Sequence, residues 1–279
     1  MGLAAAVFLL WGWGFSWVHL GLLLGMYLLT ALGVTVGYHR YFTHGSFKAK
    51  RPLKIFLAIA GSMAMQGPPI IWVADHRRHH AFTDEEGDPH SPHLHDADGV
   101  RGVLKGLWHS HMGWLFEGQR TSAKRFAPDL KKDPTIRWVD KYFPLWALLG
   151  LAIPFVLGFA LSGGSLFAGF TAFVWAGLVR VFLLHHATWS VNSICHMYGS
   201  KGFAIEDESR DNWMVAMVSL GEGWHHSHHA FPTSARHGLR RWERALDPSA
   251  GVIWMLERLG LAWDVVRPGE DQQARKALA

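Results

Sequence analysis

Four apolar segments, arranged in two pairs, dominate the hydrophobic pattern of the chain. The first pair covers 3–15 and 17–38, and the second covers 144–161 and 166–184, with the turn "SGG" between its members. A bilayer core about 30 Å thick needs about 20 helical residues at a rise of about 1.5 Å per residue. The pattern therefore predicts an all-α integral membrane protein with four transmembrane helices in two hairpins. Segment 3–15 is short, but it lacks the basic start and small-residue cleavage site of a signal peptide, so we interpret it as the first membrane helix.

The composition agrees with a membrane protein and narrows the kinds of site it contains. Hydrophobic residues make up 49% of the 279 positions, 15 residues are Trp, and only 18% are charged. The single cysteine, Cys195, leaves no Cys-based zinc or iron–sulfur site within the chain, so a metal would be held by nitrogen and oxygen ligands. The net charge of +5 comes from Lys and Arg beside the apolar segments rather than on one helix, which argues against nucleic acid as a partner.

Nineteen histidines are present, and several of them fall into spaced groups. An α-helix turns about 100° per residue, so positions i, i+3 and i+4 lie within about 100° on one face. The two HxxHH groups, at 76–80 and 225–229, would therefore each direct three imidazoles to one point. His39 and His44 are about 140° apart on the same scale, so the helix must end or loosen there. Neutral imidazoles have a reason to lie together around a metal, but imidazole suits zinc, copper, iron and nickel alike.

The requirement that all ligands of one metal cluster share one side of the membrane fixes the topology. Segment 53–73 is apolar, but the "GPP" within it would interrupt a membrane helix. Two crossings separate His80 from Asn192, so 53–73 is most simply an interfacial segment. The Lys and Arg residues of the connecting stretches lie on the histidine side, which indicates the cytoplasm. We therefore expect a multi-pass protein with a helical cytosolic cap, formed by about 39–143 and 190–279, that holds the metal site.

Five motifs make the chain resemble the membrane-bound fatty acyl-CoA desaturases of the stearoyl-CoA Δ9-desaturase type. The resemblance runs in order from about residue 17 to 245, and the last two motifs are the more specific ones. The motifs are "GYHRYFTH" at 37–44, "DHRRHHAFTDEEGDPH" at 75–90, "HSHMGWL" at 109–115, "TWSVNSICHMYG" at 188–199 and "GEGWHHSHHAFP" at 221–232.

The resemblance implies two iron ions on the cytosolic side, held by nine histidines and one asparagine. One iron is expected to take His39, His44, His80 and His229, with Asn192 reaching it through a water. The other is expected to take His76, His79, His196, His225 and His228. His226 is left out of both sets. Zinc is expected as a substitute in recombinant protein, because imidazole accepts both metals.

The function implied by the resemblance is O₂-dependent desaturation, which introduces a cis double bond, at Δ9, into a saturated long-chain acyl group. Removing hydrogen from an unactivated methylene needs an oxidant that no side chain provides, so no catalytic residue is expected beyond the metal ligands. Only a shaped apolar tunnel can select one methylene. The resemblance assigns the bend of this tunnel to Gln66, Trp72, Thr188 and Trp189. Asp75 and Glu222 adjoin ligand histidines and are candidate acceptors for imidazole N–H groups.

The carrier of the acyl chain and the source of electrons are less narrowly defined. Acyl-CoA is expected, with an acyl-lipid or a carrier-protein thioester as alternatives, since Ala74 stands where many animal members have an arginine. The stretch after the last motif has no "HPGG" haem signature, so we expect a separate ferredoxin- or cytochrome-type donor to dock on the basic cytosolic face.

Two other functions are consistent with a histidine cluster in a membrane. A di-iron hydroxylase of the same superfamily would yield alcohols instead of alkenes. A non-catalytic metal-binding or metal-transporting protein would need ionisable residues along a path through the membrane segments. Segments 17–38 and 144–161 contain only His19 of this kind, and 166–184 contains only Arg180, so this path is missing.

Overall fold

The computed structural model describes residues 14–94, 99–118 and 120–278, and this part of the chain is mostly helical. One short antiparallel strand pair ties the start of the cap to the C-terminal part, with Lys48 opposite Trp263 and Ala49 opposite Ala262. The α-helices are Trp17–Leu32, Arg51–Ser62, Pro69–Ala81, Gly99–His111, Ala123–Phe126, Pro128–Lys132, Pro134–Lys141, Phe143–Leu161, Leu166–Ala172, Arg180–Ser193, Trp213–Val218, His225–Ala230, Pro248–Arg258 and Glu270–Lys276. The π-helical stretches are Gly33–Thr43 and Phe173–Val179, the 3₁₀ turns are Gly113–Phe116, Ile194–His196 and Glu243–Leu246, and the strands are Lys48–Ala49 and Ala262–Trp263.

Within the described ranges, three continuous helices are long and apolar enough to cross a membrane: Trp17–Thr43, Phe143–Leu161 and Leu166–His196. They match the predicted segments 17–38, 144–161 and 166–184, although the first and third run on past the predicted ends. The helix expected at 3–15 lies outside the described residues, except for Gly14 and Phe15, which precede the first helix. The prediction of a fourth span therefore stays a prediction.

Segment 53–73 forms two helices that meet at a sharp turn. Arg51–Ser62 and Pro69–Ala81 are separated by 63–68, where Met65 and Gly67 have positive φ angles of 62° and 107°. The interruption expected from "GPP" is confirmed, because Pro69 begins a new helix. Helix Arg51–Ser62 lies directly against the first span: a Cβ at Gly33 would lie only 2.2 Å from the backbone nitrogen of Gly61. Its placement at the membrane interface stays a prediction.

A fully buried arginine fastens this turn to the spans. Arg180 donates from Nη1 to the Met63 carbonyl and from Nη2 to the Gly150 carbonyl, both at 2.9 Å. The Gly150 carbonyl needs this partner because the residue four positions later, Pro154, has no N–H to donate. Arg180 therefore closes a gap that proline leaves in the neighbouring helix, which explains an ionisable residue in a membrane segment without a transport path.

Candidate metal centre

The first two ligand candidates lie at the end of a membrane span that has loosened into a π-helix. Over Gly33–Thr43 the backbone pairs residues five apart, and the N–H of His44 donates to the carbonyl of His39 at 3.2 Å. A π-helical turn brings positions i and i+5 to the same side, where an α-helix would separate them. The expectation that the helix loosens between His39 and His44 is confirmed, and the two rings lie 4.9 Å apart.

The remaining histidines arrive from two helices and one 3₁₀ turn. His76, His79 and His80 occupy the last turns of Pro69–Ala81, and His225, His228 and His229 occupy the short helix His225–Ala230. His196 ends the third span. All nine predicted histidines converge, in two groups whose ligand nitrogens lie within 4.8 Å of one another. One group contains His39, His44, His76, His80 and His228, and the other contains His79, His196, His225 and His229.

This division differs from the one that the resemblance implies. His76 and His228 lie in the group of His39, and His229 lies in the group of His79. The Nε2 atom of His228 explains the difference, since it lies 3.1 Å from that of His39 and 3.0 Å from that of His80. All nine histidines of the expected set lie in these two groups, and the assignment of each one to a particular iron stays a prediction.

The spacing of the ring nitrogens fits metal ligands. The Nε2 atoms of His76 and His80 lie 3.1 Å apart, and those of His196 and His225 lie 3.0 Å apart. With a metal–nitrogen bond of about 2.1 Å, two ligands at right angles have nitrogens about 3 Å apart. The Nε2 atoms of His44, His79 and His229 are buried with no hydrogen-bond partner among the described residues. A buried nitrogen lone pair without a partner is costly, and a metal ion would satisfy it.

Four carboxylates contact the Nδ1 atoms of four cluster histidines, on the side of each ring away from its Nε2 atom. The Nδ1 atoms of His79, His196 and His229 lie 2.9, 2.9 and 2.8 Å from Asp88, Asp84 and Asp207, and His39 Nδ1 pairs with Glu222. A carboxylate that accepts from Nδ1 fixes the tautomer with a lone pair on Nε2, the nitrogen that faces the cluster. The carboxylates thus orient the rings for a metal.

The protonation states agree with this arrangement except at His79, where burial alone would lower the pKa but the neighbouring Asp88 carboxylate raises it. Burial alone would raise the pKa of Asp84, but the His196 imidazole that donates to it holds that pKa at about 2. Burial and the neighbouring imidazoles lower the pKa of His80, His225 and His228 well below 6.5. At neutral pH these rings are therefore neutral and able to donate a lone pair.

Sequence reasoning identified only one of the four carboxylates. Glu222 contacts a ligand histidine as expected, but Asp75 was a wrong choice because it hydrogen-bonds Thr121 and lies near Arg78. Asp84 and Asp88 were missed although they stand in the quoted motif "DEEGDPH", whose acidic residues were the available signal. Asp207 lies in a loop 22 positions before His229, and no spacing rule connects the two.

A buried ionic network extends from Glu222 away from the histidines. Arg40, fully buried, donates to the Glu222 and Asp247 carboxylates at 3.2 and 2.9 Å. His237 Nδ1 lies 3.5 Å from the Glu222 carboxylate, and the centroid of its ring lies 4.4 Å from that of the His228 ring, at a tilt of 39°. His237 lies outside the five sequence motifs, but the structure places it against the cluster, beside His39 and His228. Because Asp247 also accepts the N–H groups of His237, Gly238 and Ala250, the network joins the last motif to the C-terminal part.

The two other residues singled out by the motifs lie at the margin of the clusters. His226 lies outside both groups, and its ring bonds backbone atoms of Phe203 and Ser209. Asn192 lines the cavities beside His76, and its role as a ligand through water stays a prediction.

The four predicted tunnel residues line one cavity of about 330 Å³ next to the clusters. Gln66 donates to the Thr188 hydroxyl at 2.8 Å and accepts from the Trp72 indole at 3.3 Å, while Trp189 completes the wall. His76 lines the same cavity. A second, more apolar cavity shares Trp72, His76, Thr188 and Asn192 and continues towards Val34, Leu184 and Val191. The first cavity, of about 330 Å³, and the second, of about 40 Å³, thus place a partly apolar space directly beside the histidines.

Comparison with known proteins assigns this fold and site to a class. The sequence matches the family model described as "Fatty acid desaturase" over residues 4–255. The chain therefore belongs to the fatty acid desaturase family. The membrane helices and the histidine clusters are features of a desaturase oxidoreductase of lipid metabolism.

Several characterised relatives extend over nearly the whole chain. A hex-5-enoyl-[acyl-carrier protein] acetylenase of Moorena producens is 41% identical over all of this chain and 86% of its own length. An acyl-CoA 5-desaturase of Anemone leveillei is 40% identical over 92% of this chain and 74% of its own. An sn-2 palmitoyl-lipid 9-desaturase of Nostoc is 39% identical over 95% of this chain and 87% of its own. The three relatives share the family but differ in carrier and in the position of the reaction.

Proposed function

We propose that this protein is an O₂-dependent fatty acyl desaturase that introduces a cis double bond, at Δ9, into a saturated acyl chain by means of a histidine-ligated di-iron centre. The observation that carries the proposal is that both histidine groups border one largely apolar cavity. His39 and His76 of one group and His225 of the other line it together with Trp72. A lone metal-binding protein would have no use for a cavity of this shape beside the ligands. The relative that is an sn-2 palmitoyl-lipid 9-desaturase supports the Δ9 position.

Nine histidines would hold the two iron ions, five in one group and four in the other, with Asn192 nearby. Iron supplies the oxidising power, through O₂, to remove hydrogen from a methylene group. The overall change removes two hydrogen atoms from adjacent carbons and reduces O₂ to two waters, with two electrons from a donor and two protons from solvent. The donor is expected to be a separate ferredoxin- or cytochrome-type protein.

The residues of the chain supply position and protection from water. The hydrogen-bonded trio Trp72, Gln66 and Thr188 presents a fixed wall to the substrate, because each side chain is held by the next. Burial of the histidine clusters keeps bulk water from the reacting carbons, which protects a strong oxidant from side reactions. Regiochemistry would then follow from how far the acyl chain extends into the second cavity, towards Val34 and Leu184.

The protein is proposed to be a multi-pass membrane enzyme with its metal centre on the cytoplasmic side. The carrier is the point on which the relatives differ, since their names include acyl-CoA, acyl-carrier protein and glycerolipid. Acyl-CoA, which the sequence resemblance implies, stays a prediction. The test below examines it through the thioester fraction.

The test is expression in cells that lack their own desaturase, followed by mass-spectrometric location of new double bonds in each lipid and thioester fraction. We expect a single cis alkene at one fixed distance from the carboxyl carbon. Alcohols in place of alkenes would assign the protein to the hydroxylases instead. One of the relatives is an acetylenase. An alkyne formed from a chain that is already unsaturated is therefore a second outcome to be examined in the same spectra.

A further inference from the structure

Helix Gly99–His111 and the turn after it expose a continuous apolar surface that the described residues leave uncovered. Six large apolar side chains are between 38% and 77% exposed there. We call them the apolar strip: Val100, Val103, Leu104, Trp108, Leu115 and Phe116. The turn Gly113–Phe116 packs closely against the helix: a Cβ added at Gly113 would lie only 3.1 Å from the Trp108 ring.

The helix has three distinct faces. At about 100° per residue, Val100, Val103, Leu104 and Trp108 fall within an arc of about 140°. Arg101 and Lys105 follow on the next part of the circumference, and both are exposed. The opposite side consists of Gly102, Gly106, His109 and Ser110, all buried against the protein. Such an apolar face bordered by basic residues is typical of a helix that lies in the surface of a membrane.

The contact between this helix and the third span locates it at the level where the span leaves the bilayer. His111 Nε2 lies 2.8 Å from His186 Nδ1 on helix Arg180–Ser193. A bilayer core takes about 20 helical residues, and the span begins at Leu166, so it leaves the core near His186. Phe182 and Leu183, one turn before His186, are 40% and 42% exposed and belong to the lipid-facing surface of the span.

We propose that the apolar strip is a membrane-inserted surface, seated in the headgroup and upper acyl region of the leaflet on the side of the metal centre. The occupant is the lipid surface because the strip continues the exposed side chains of the span and because Arg101 and Lys105 complement anionic headgroups. A second protein would have to compete with lipid at this depth.

The position of the strip has a consequence for substrate entry that rests on the proposed desaturase function. Leu115 belongs to the strip and, with Trp114, also lines the cavity that contains Gln66 and Trp189. The mouth of the cavity therefore opens at the lipid surface, where the acyl chain of a membrane lipid can enter without leaving the leaflet.

Spin labelling of single cysteines in lipid nanodiscs tests the surface without any need for turnover. Cys195 is fully buried, so a label attaches to the introduced cysteine. The variants are Leu104→Cys on the strip, Leu148→Cys on the exposed side of span Phe143–Leu161 as the lipid benchmark, and Lys131→Cys on the cap as the aqueous benchmark. The discs contain phosphatidylcholine with a minor fraction of phosphatidylglycerol, and collision rates with O₂ and with an aqueous nickel chelate are measured.

We expect the label at Leu104→Cys to lose nickel collisions relative to Lys131→Cys while it keeps the high O₂ collision rate of Leu148→Cys. A nickel collision rate equal to that of Lys131→Cys would place the strip in water and overturn the proposal. Protection from both reagents would mean that protein covers the strip and would overturn it as well. A chain that desaturates nothing would still give the expected collision rates, so failure of the proposed function is recognised separately.

Discussion

The substitution Asp88→Asn tests whether the carboxylates around the clusters prepare the histidines for metal. The Asp88 side chain is fully buried, its two oxygens lie 3.0 and 2.9 Å from His79 Nδ1, and it accepts the N–H groups of Asp84 and His90. Burial alone would raise the pKa of this carboxyl, but the His79 ring keeps it well below its usual range, so Asp88 is charged. Asparagine preserves the shape and one acceptor oxygen while it removes the charge that fixes the His79 tautomer.

Loss of such an outer partner lowers metal affinity by about 10- to 100-fold, which corresponds to about 1.4–2.7 kcal/mol. We expect this loss for Asp88→Asn in a competition titration of the metal-free protein with Fe(II) and a chelator of known affinity. The matched control is Asp129→Asn, which removes an equal charge from an exposed pair with Arg77. Unchanged affinity in Asp88→Asn, with thermal stability like that of the control, would refute the role of the carboxylates.

Three further predictions concern stability, pH and the cavity. Arg180→Met leaves the Met63 and Gly150 carbonyls without a donor, so the free energy of unfolding should fall by about 1–3 kcal/mol for each carbonyl, measured as a lower Tm in detergent. In the metal-free folded protein the pKa values of His225 and His228 are lowered, so below pH 6.5 the unfolded chain binds more protons than the folded chain. The Tm should therefore fall as the pH drops below 6.5. Above pH 6.5 these two histidines should have little effect on Tm. Thr188→Val removes the partner of Gln66 and should broaden the double-bond positions seen by mass spectrometry while iron content is retained.

The parts of the site that repeat along one helix were predictable from the sequence. The HxxHH spacing predicts that both groups lie on helices, and they do. The expectation that each triplet meets at one point is wrong, because His79 lies in a different cluster from His76 and His80, and His228 in a different cluster from His225 and His229. The distance between His39 and His44 indicated a local change in helical geometry, which the π-helical stretch Gly33–Thr43 supplies. Helix geometry therefore predicts which residues share a helix and where the helix loosens, but not which cluster each ring joins.

The parts that depend on tertiary packing were not predictable in this way. His196 and Asp84 meet across 112 positions, and His39 and Glu222 across 183, so no local pattern marks these pairs. His228 and His229 are neighbours on one short helix but lie in different groups, and the HxxHH spacing does not say which group each one joins. The extension of the spans to Thr43 and His196 was missed because polar ligands follow the apolar residues without a break in the helix.

We propose that the converging histidines hold two iron ions with which the protein, using O₂, desaturates an acyl chain. The most direct measurement compares His228→Gln with His226→Gln, since both rings are buried in the same short helix but only His228 belongs to a cluster. Iron per chain and conversion of saturated acyl chains with O₂ and an electron donor are determined for both variants and the unaltered protein. We predict two irons and alkene product for the unaltered protein and for His226→Gln, and loss of iron and product for His228→Gln. Full activity of His228→Gln, or equal loss in both variants, would contradict the account.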